Sequence, residues 1–269
     1  MYVACRDIIL KNVFGSVEEG LSVLGINSIE LYLPRDFKVF SGHNLEYELS
    51  SFKKYLSEQN IEVNSILIAN DFMETDYVVK AVNIAHRLGL GVVRVDTIVK
   101  EVEGYSLEDC IRASIDWLKE LKDKVKDVVL AIENHGYVSN REEYLDALFK
   151  EFPETFLGLT LDTGNFYWYG YPLSKVYEIV KKFADRVKHT HVKNAVAERK
   201  EAWRKPGDVT MSPLFEGDID LKKIVNILKR HGYNGDLTIE DESLGRCSDL
   251  EKKDILIRDT KYLNNLCRL

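Results

Sequence analysis

Residues 157–170 read LGLTLDTGNFYWYG. An apolar run climbs to Asp162, turns at Thr163-Gly164 and breaks into aromatic residues. Its length and apolar character predict a buried strand. A carboxylate at the end of a buried strand is costly unless something pairs with it. Working outward, similar short runs stand at YVAC (2–5), NSIELYL (27–33), IEVNSILIA (61–69), GVVRVDT (91–97), DVVLAIEN (127–134), VKHTHVK (187–193) and DLTIEDE (236–242). Amphipathic segments fill the gaps at 16–25, 45–59, 75–90, 106–124, 140–152, 172–184, 220–233 and 249–266. The first opens on a Ser16 cap with Glu19 three positions on and stops at Gly25; the fifth opens on an Asn140 cap and stops before Pro153.

Strict alternation of strand and helix means parallel strands joined by crossover helices. Eight such units over 269 residues predict one α/β domain spanning 1–269, a (β/α)₈ TIM barrel with its active site at the C-terminal ends of the strands. The competing open sheet wants a glycine-rich phosphate turn after its first strand, and ACRDIILKNVFG (4–15) has none. Residues 2–14 read as a short, irregular first strand. One long connection, 195–218, follows the seventh strand and is expected on the C-terminal face.

Composition narrows the function classes. A net charge of −7 argues against a nucleic-acid partner, which requires a basic face. The four cysteines are far apart and form no CxxC pair, so a reducing, cytoplasmic setting is expected. The N-terminus is too short and too charged for a signal peptide, and no apolar window is long enough to span a membrane.

The late strands end alike: the fifth at Glu133, the sixth at Asp162, the seventh at His191, the eighth at Glu240. Residues i and i+2 of a strand share a face, and neighbouring strands lie about 4.8 Å apart. Three carboxylates and one imidazole then converge on a space fit for one divalent cation. Without the cation the carboxylates repel and take up protons; with it they stay ionised. The hard oxygen-rich set favours Mn²⁺, with Mg²⁺, Co²⁺ or Zn²⁺ as alternatives. Each residue also has a structural reading: a salt bridge at a strand end for Glu133 or Glu240, a turn cap for Asp162, a core histidine for His191.

In order, IENHG (132–136), LDTGN (161–165), DRVKHTHVKN (185–194), FEGDIDLKKIV (215–225) and GDLTIEDE (235–242) resemble the xylose-isomerase-like TIM-barrel superfamily, the sugar phosphate isomerases and epimerases. NSIELYL also resembles the family's second strand. The resemblance spans essentially the whole chain. It implies a metal set of Glu133, Asp162, His191 and Glu240, with Glu133 and Glu240 also serving as acid and base. The implied reaction is isomerisation or epimerisation of a small sugar-like carbonyl compound through an enediolate. The alternative within the family is an inosose-type dehydratase, which expels a β-hydroxyl.

Substrate contacts are expected from His135, from Lys193 (for an oxyanion or phosphate) and from Arg94, whose fork suits anions. Glu30 is expected to bind a hydroxyl or pair with an arginine, and Trp203 to offer an apolar wall for a sugar face. Two positions depart from the ketose 3-epimerase pattern: Asn165 stands where those enzymes carry a substrate-binding histidine, and Asn194 where an aspartate is common. An endonuclease-IV-like nuclease needs several additional metal-binding histidines, including ones on the third and fourth strands; this chain has six histidines and none on those strands. A non-catalytic ligand-binding barrel is the remaining class. A homo-oligomer fits such barrels, but no interface is legible.

Overall fold

Alternation along the strands sorts the side chains before any packing is considered. Leu130 and Ile132, Leu159 and Leu161, and Leu237 and Ile239 fall on one strand face and join the apolar core beneath the helices. Ala131 and Glu133, Thr160 and Asp162, His189 and His191 fall on the other, which lines the barrel interior. The computed structural model describes residues 1–268.

Its strands are β1 (Tyr2–Arg6), β2 (Ser28–Tyr32), β3 (Glu62–Leu67), β4 (Val92–Val95), β5 (Val129–Glu133), β6 (Leu157–Asp162), β7 (Val187–Val192), β8 (Asn194–Val196), β9 (Thr210–Ser212) and β10 (Asp236–Ile239). Eight close a parallel barrel in the order β1-β10-β7-β6-β5-β4-β3-β2. The helices are α1 (Asp7–Phe14), α2 (Val17–Leu24), α3 (Leu49–Glu58), α4 (Thr75–Leu88), α5 (Leu107–Lys124), α6 (Glu142–Glu151), α7 (Asn165–Tyr169), α8 (Leu173–Phe183), α9 (Leu221–Arg230) and α10 (Asp249–Arg268). This is a single (β/α)₈ TIM barrel. No helix among the described residues is long and apolar enough to cross a membrane.

Register sets the site. Glu133 pairs with Thr160, Asp162 with His191, and His191 with Thr238. The Glu240 amide donates to the Val192 carbonyl at 3.1 Å. Four consecutive strands of the wall, β5, β6, β7 and β10, therefore deliver their last inward side chains at one height.

Two local readings are corrected, and two segments gain detail. Residues 7–14 are not an irregular strand but helix α1. Asp7, Leu10 and Phe14 are buried at helical spacing, and the Asp7 carboxylate accepts from the Ile8 and Tyr32 amides at 2.7 and 3.1 Å. Asn140 does not cap α6; its side chain turns inward to the Gly136 carbonyl (2.8 Å) and to Asn134 (3.3 Å), and Arg141 takes the cap position. The aromatics after Asp162 form the short helix α7. The long connection contains the hairpin β8–β9.

That connection is pinned down over α7. The Arg204 guanidinium donates to the Tyr167 and Tyr171 carbonyls at 2.9 and 3.2 Å and lies 4.1 Å from the Tyr167 ring centroid. Asn194 explains its own departure from the family pattern. Its amide donates to the Leu214 and Ile219 carbonyls and its oxygen accepts from the Ile219 amide at 3.0 Å, which ties both ends of the segment together. A Cβ at Gly217 would stand 1.9 Å from Asn194 Oδ1, so only glycine fits there.

Candidate metal centre

Asp162 answers the question its strand raised by dividing its two oxygens. Oδ1 accepts from the Gly164 and Asn165 amides, each at 2.8 Å, and so caps α7. Oδ2 is buried with no well-aligned hydrogen bond, although Lys193 Nζ lies 3.1 Å away. Burial, reinforced by Glu133 and Glu240 against the pull of Lys193, pushes the Asp162 carboxyl up to about 7.

His191 is the hub. Nδ1 faces Glu240 Oε2 at 2.8 Å and Glu133 Oε1 at 3.2 Å, and Nε2 faces Glu30 Oε1 at 2.8 Å. Burial alone would lower its pKa, but these carboxylates outweigh burial and hold it well above the usual imidazole value. A neutral ring donating from Nε2 to Glu30 would aim its Nδ1 lone pair at two anionic oxygens. A cation on that side turns the repulsion into ligation, with Glu30 orienting the ring from behind.

Both glutamates are clamped. Arg94 Nε donates to Glu133 Oε2 at 2.6 Å, and Nη2 donates to the same oxygen. Arg6 donates to Glu240 Oε1 and lies 3.3 Å from Glu30 Oε2. Burial pushes the glutamates up, yet Arg94 and His191 hold Glu133 well below the usual carboxylate range, and His191, Lys193 and Arg6 do the same for Glu240. Glu240 Oε2, like Asp162 Oδ2, is buried without a well-aligned hydrogen bond.

Glu133, Asp162, His191 and Glu240 each offer a ligand atom, all within 4.8 Å of one another. The Asp162 Oδ2 and Glu240 Oε2 oxygens, buried without a well-aligned hydrogen bond, the carboxylate-faced imidazole and the donor chemistry all fit a divalent cation.

The other expected residues divide. Lys193 is not a solvated lysine: it is 3% exposed and reaches Glu242 at 2.7 Å as well as Asp162. Asn165 donates to Glu133 Oε1 at 3.3 Å. His135 sits at the rim with Nδ1 3.2 Å from Asp96 Oδ1. Arg94 is not free to meet a substrate anion with its fork, which is committed to Glu133, Asp96 (2.5 Å) and the Ile68 carbonyl (3.1 Å). Trp203 is outside the cluster, 63% exposed and packed 5.0 Å from the Tyr171 ring.

The sequence reading missed Arg6, Asp96 and Asp236 and gave His189 no role. Arg6 ends its strand on a charge, as the late strands do, and Asp96 lies two positions after Arg94; both signals were available. His189 bridges Glu30 (2.7 Å) and Asp236 (2.9 Å) beneath His191. Burial opposes its charged form, but those two carboxylates push it up to about 9.

Comparisons with known proteins agree with this architecture. The inosose dehydratase of Clostridium perfringens is 26% identical, over 88% of this chain and 84% of that protein. The crystal structure of the IolI protein with a bound zinc atom superposes with a TM-score of 0.70 at 17% identity, covering 99% and 98% of the two chains. A D-tagatose 3-epimerase-like protein gives 0.69 at 17%, covering 98% and 99%. The model of the xylose isomerase-like TIM barrel family matches residues 21–266, and the chain belongs to that family.

Proposed function

We propose that this protein is a divalent-metal-dependent dehydratase of a small cyclic polyhydroxy ketone of the inosose class. The observation that carries the reading is the convergence of Glu133, Asp162, His191 and Glu240 on one buried point. The named relative supplies the reaction class. In this reading those four residues hold the cation, Mn²⁺ by preference for its hard oxygen-rich set.

A cation held there supplies Lewis-acid polarisation of the substrate carbonyl and charge to offset the enolate oxygen. The chain supplies the rest. Glu240 Oε2, the oxygen turned away from Arg6, takes the proton from the carbon beside the carbonyl. The carbon–oxygen bond of the β-hydroxyl then breaks as the new double bond forms. The Asp96 hydrogen bond, opposed by burial, raises the pKa of His135 and favours its imidazolium. Nδ1 then donates to Asp96 and the Nε2 proton at the rim goes to the departing hydroxyl, which leaves as water. Lys193 is kept charged by its carboxylate neighbours and stabilises negative charge on a substrate oxygen. Asn165 and Arg94 fix the orientation of Glu133.

The test is to incubate metal-loaded protein with an inosose and follow the product by mass and ultraviolet absorbance. Loss of one water with a new conjugated-ketone absorbance is expected. A second reading, isomerase or epimerase, draws on the placement of Glu133 and Glu240 on separate strands of the cluster, suited to two-sided proton transfer. It requires a product of unchanged mass that takes up solvent deuterium, and that result with no water lost would replace the dehydratase reading.

A further inference from the structure

Glu133 uses its two carboxylate oxygens in opposite directions. Oε1 faces His191 Nδ1 and Asn165; Oε2 faces Arg94. A carboxylate divided in this way is the geometry of a bridge between two cations. On the Arg94 side stand two further donors, Asp96 and His135. Together with Glu133 they place one ligand atom each within 4.8 Å of one another. Asp96 and Glu133 are 7% and 2% exposed, so two negative charges are buried there. Arg94 reaches both, with Nη1 2.5 Å from Asp96 Oδ2 and Nε 2.6 Å from Glu133 Oε2. Arg94 is 5% exposed and its fork is committed to this pocket.

We infer that Arg94 is a built-in cation standing at a second metal site formed by Asp96, Glu133 and His135, and that it keeps the centre mononuclear. The inference rests on the metal-binding reading of the neighbouring cluster, because Glu133 is the shared residue. The chemistry is substitution of one positive group for another. A fixed guanidinium neutralises the buried carboxylates at all times, whereas a cation does so only when bound. Arg94 is thus a positioning and specificity residue: it holds Glu133 Oε2 away from metal and leaves Oε1 for the primary centre. Removing it takes the fixed positive charge from two buried carboxylates and leaves them beside one imidazole, a donor set that takes Mn²⁺ or Zn²⁺.

The experiment counts metal per chain. Wild type, Arg94→Ala and Arg94→Met are equilibrated with Mn²⁺ or Zn²⁺, desalted and measured by elemental mass spectrometry. The difference between variant and wild type reads the inference; the absolute wild-type count reads the metal centre itself. One additional ion per chain in the variants, lost again when His135→Ala is combined with either, is expected. Equal counts in wild type and variants overturn the inference, whatever the wild-type number. If a variant folds only with metal, the melting temperature supplies the second readout. Its metal-induced rise should exceed that of wild type and should fall back when His135→Ala is added. A rise no larger than wild type's overturns the inference equally.

Discussion

Glu30→Gln is the perturbation that separates a ligand-orienting carboxylate from a merely buried one. Glu30 Oε1 accepts from His189 Nε2 at 2.7 Å and faces His191 Nε2 at 2.8 Å, while Oε2 lies 3.3 Å from Arg6 Nε. A glutamine has one acceptor oxygen for both tasks. Turned toward the histidines, it points its NH₂ at the Arg6 N–H, donor against donor. Turned toward Arg6, it points the NH₂ at His191 Nε2, which must then accept, so the ring proton moves to Nδ1, the nitrogen that faces Glu133 and Glu240. Either arrangement weakens the imidazole as a ligand. Loss of an outer-shell partner of this kind costs about 10–100-fold in metal affinity, equivalent to about 1.4–2.8 kcal/mol. Competition of Mn²⁺ between the protein and a chelator measures it, with circular dichroism confirming the fold. A folded Glu30→Gln variant whose affinity stays within about twofold of wild type, well short of the effect of losing such a partner, would refute the orienting role.

Two further outcomes follow from the same geometry. Glu240→Gln keeps an acceptor for Arg6 but cannot take a proton, so turnover of the inosose should fall by about 10²–10⁴-fold with an unchanged melting temperature; full activity would remove Glu240 from the mechanism. Asp241 and Asp259 meet carboxyl to carboxyl behind the centre, and burial, reinforced by Asp241, pushes Asp259 up to about 9. The folded state then keeps a proton that the unfolded chain releases near pH 4. Stability should therefore decline as pH rises from about 4 to 9, by at most about 1.4 kcal/mol per pH unit for one full proton. In Asp259→Asn the amide replaces the shared proton, so the decline between pH 5 and 8 in urea titrations should be shallower than in wild type, the remainder coming from groups such as Asp162 and His189; parallel pH dependence in both proteins would contradict the pairing.

The converging carboxylates were legible because each is the last inward residue of a β-rich run, and period-two alternation fixes which face it takes. The carboxylates around Lys193 were not legible, since sequence does not show that the chain folds Asp162, Glu240 and Glu242 around it. Arg94 was misread for the same reason: its partner Glu133 is 39 residues away, and an arginine on a strand looks equally suited to a substrate anion. Arg6 and Glu240 are 234 positions apart and meet only because the barrel closes. Helix α1 was missed because its apolar residues are rich in isoleucine and valine and continue directly from β1. Trp203 was assigned from its residue type alone, whereas the Arg204 anchor beside it turns the loop toward α7.

The central claim is that one cation sits among Glu133, Asp162, His191 and Glu240. Anomalous diffraction from crystals grown with Mn²⁺ tests it most directly. The account predicts a single strong peak within ligand distance of all four side chains, absent in Asp162→Ala. A peak elsewhere in the barrel, or none at saturating Mn²⁺, would contradict it.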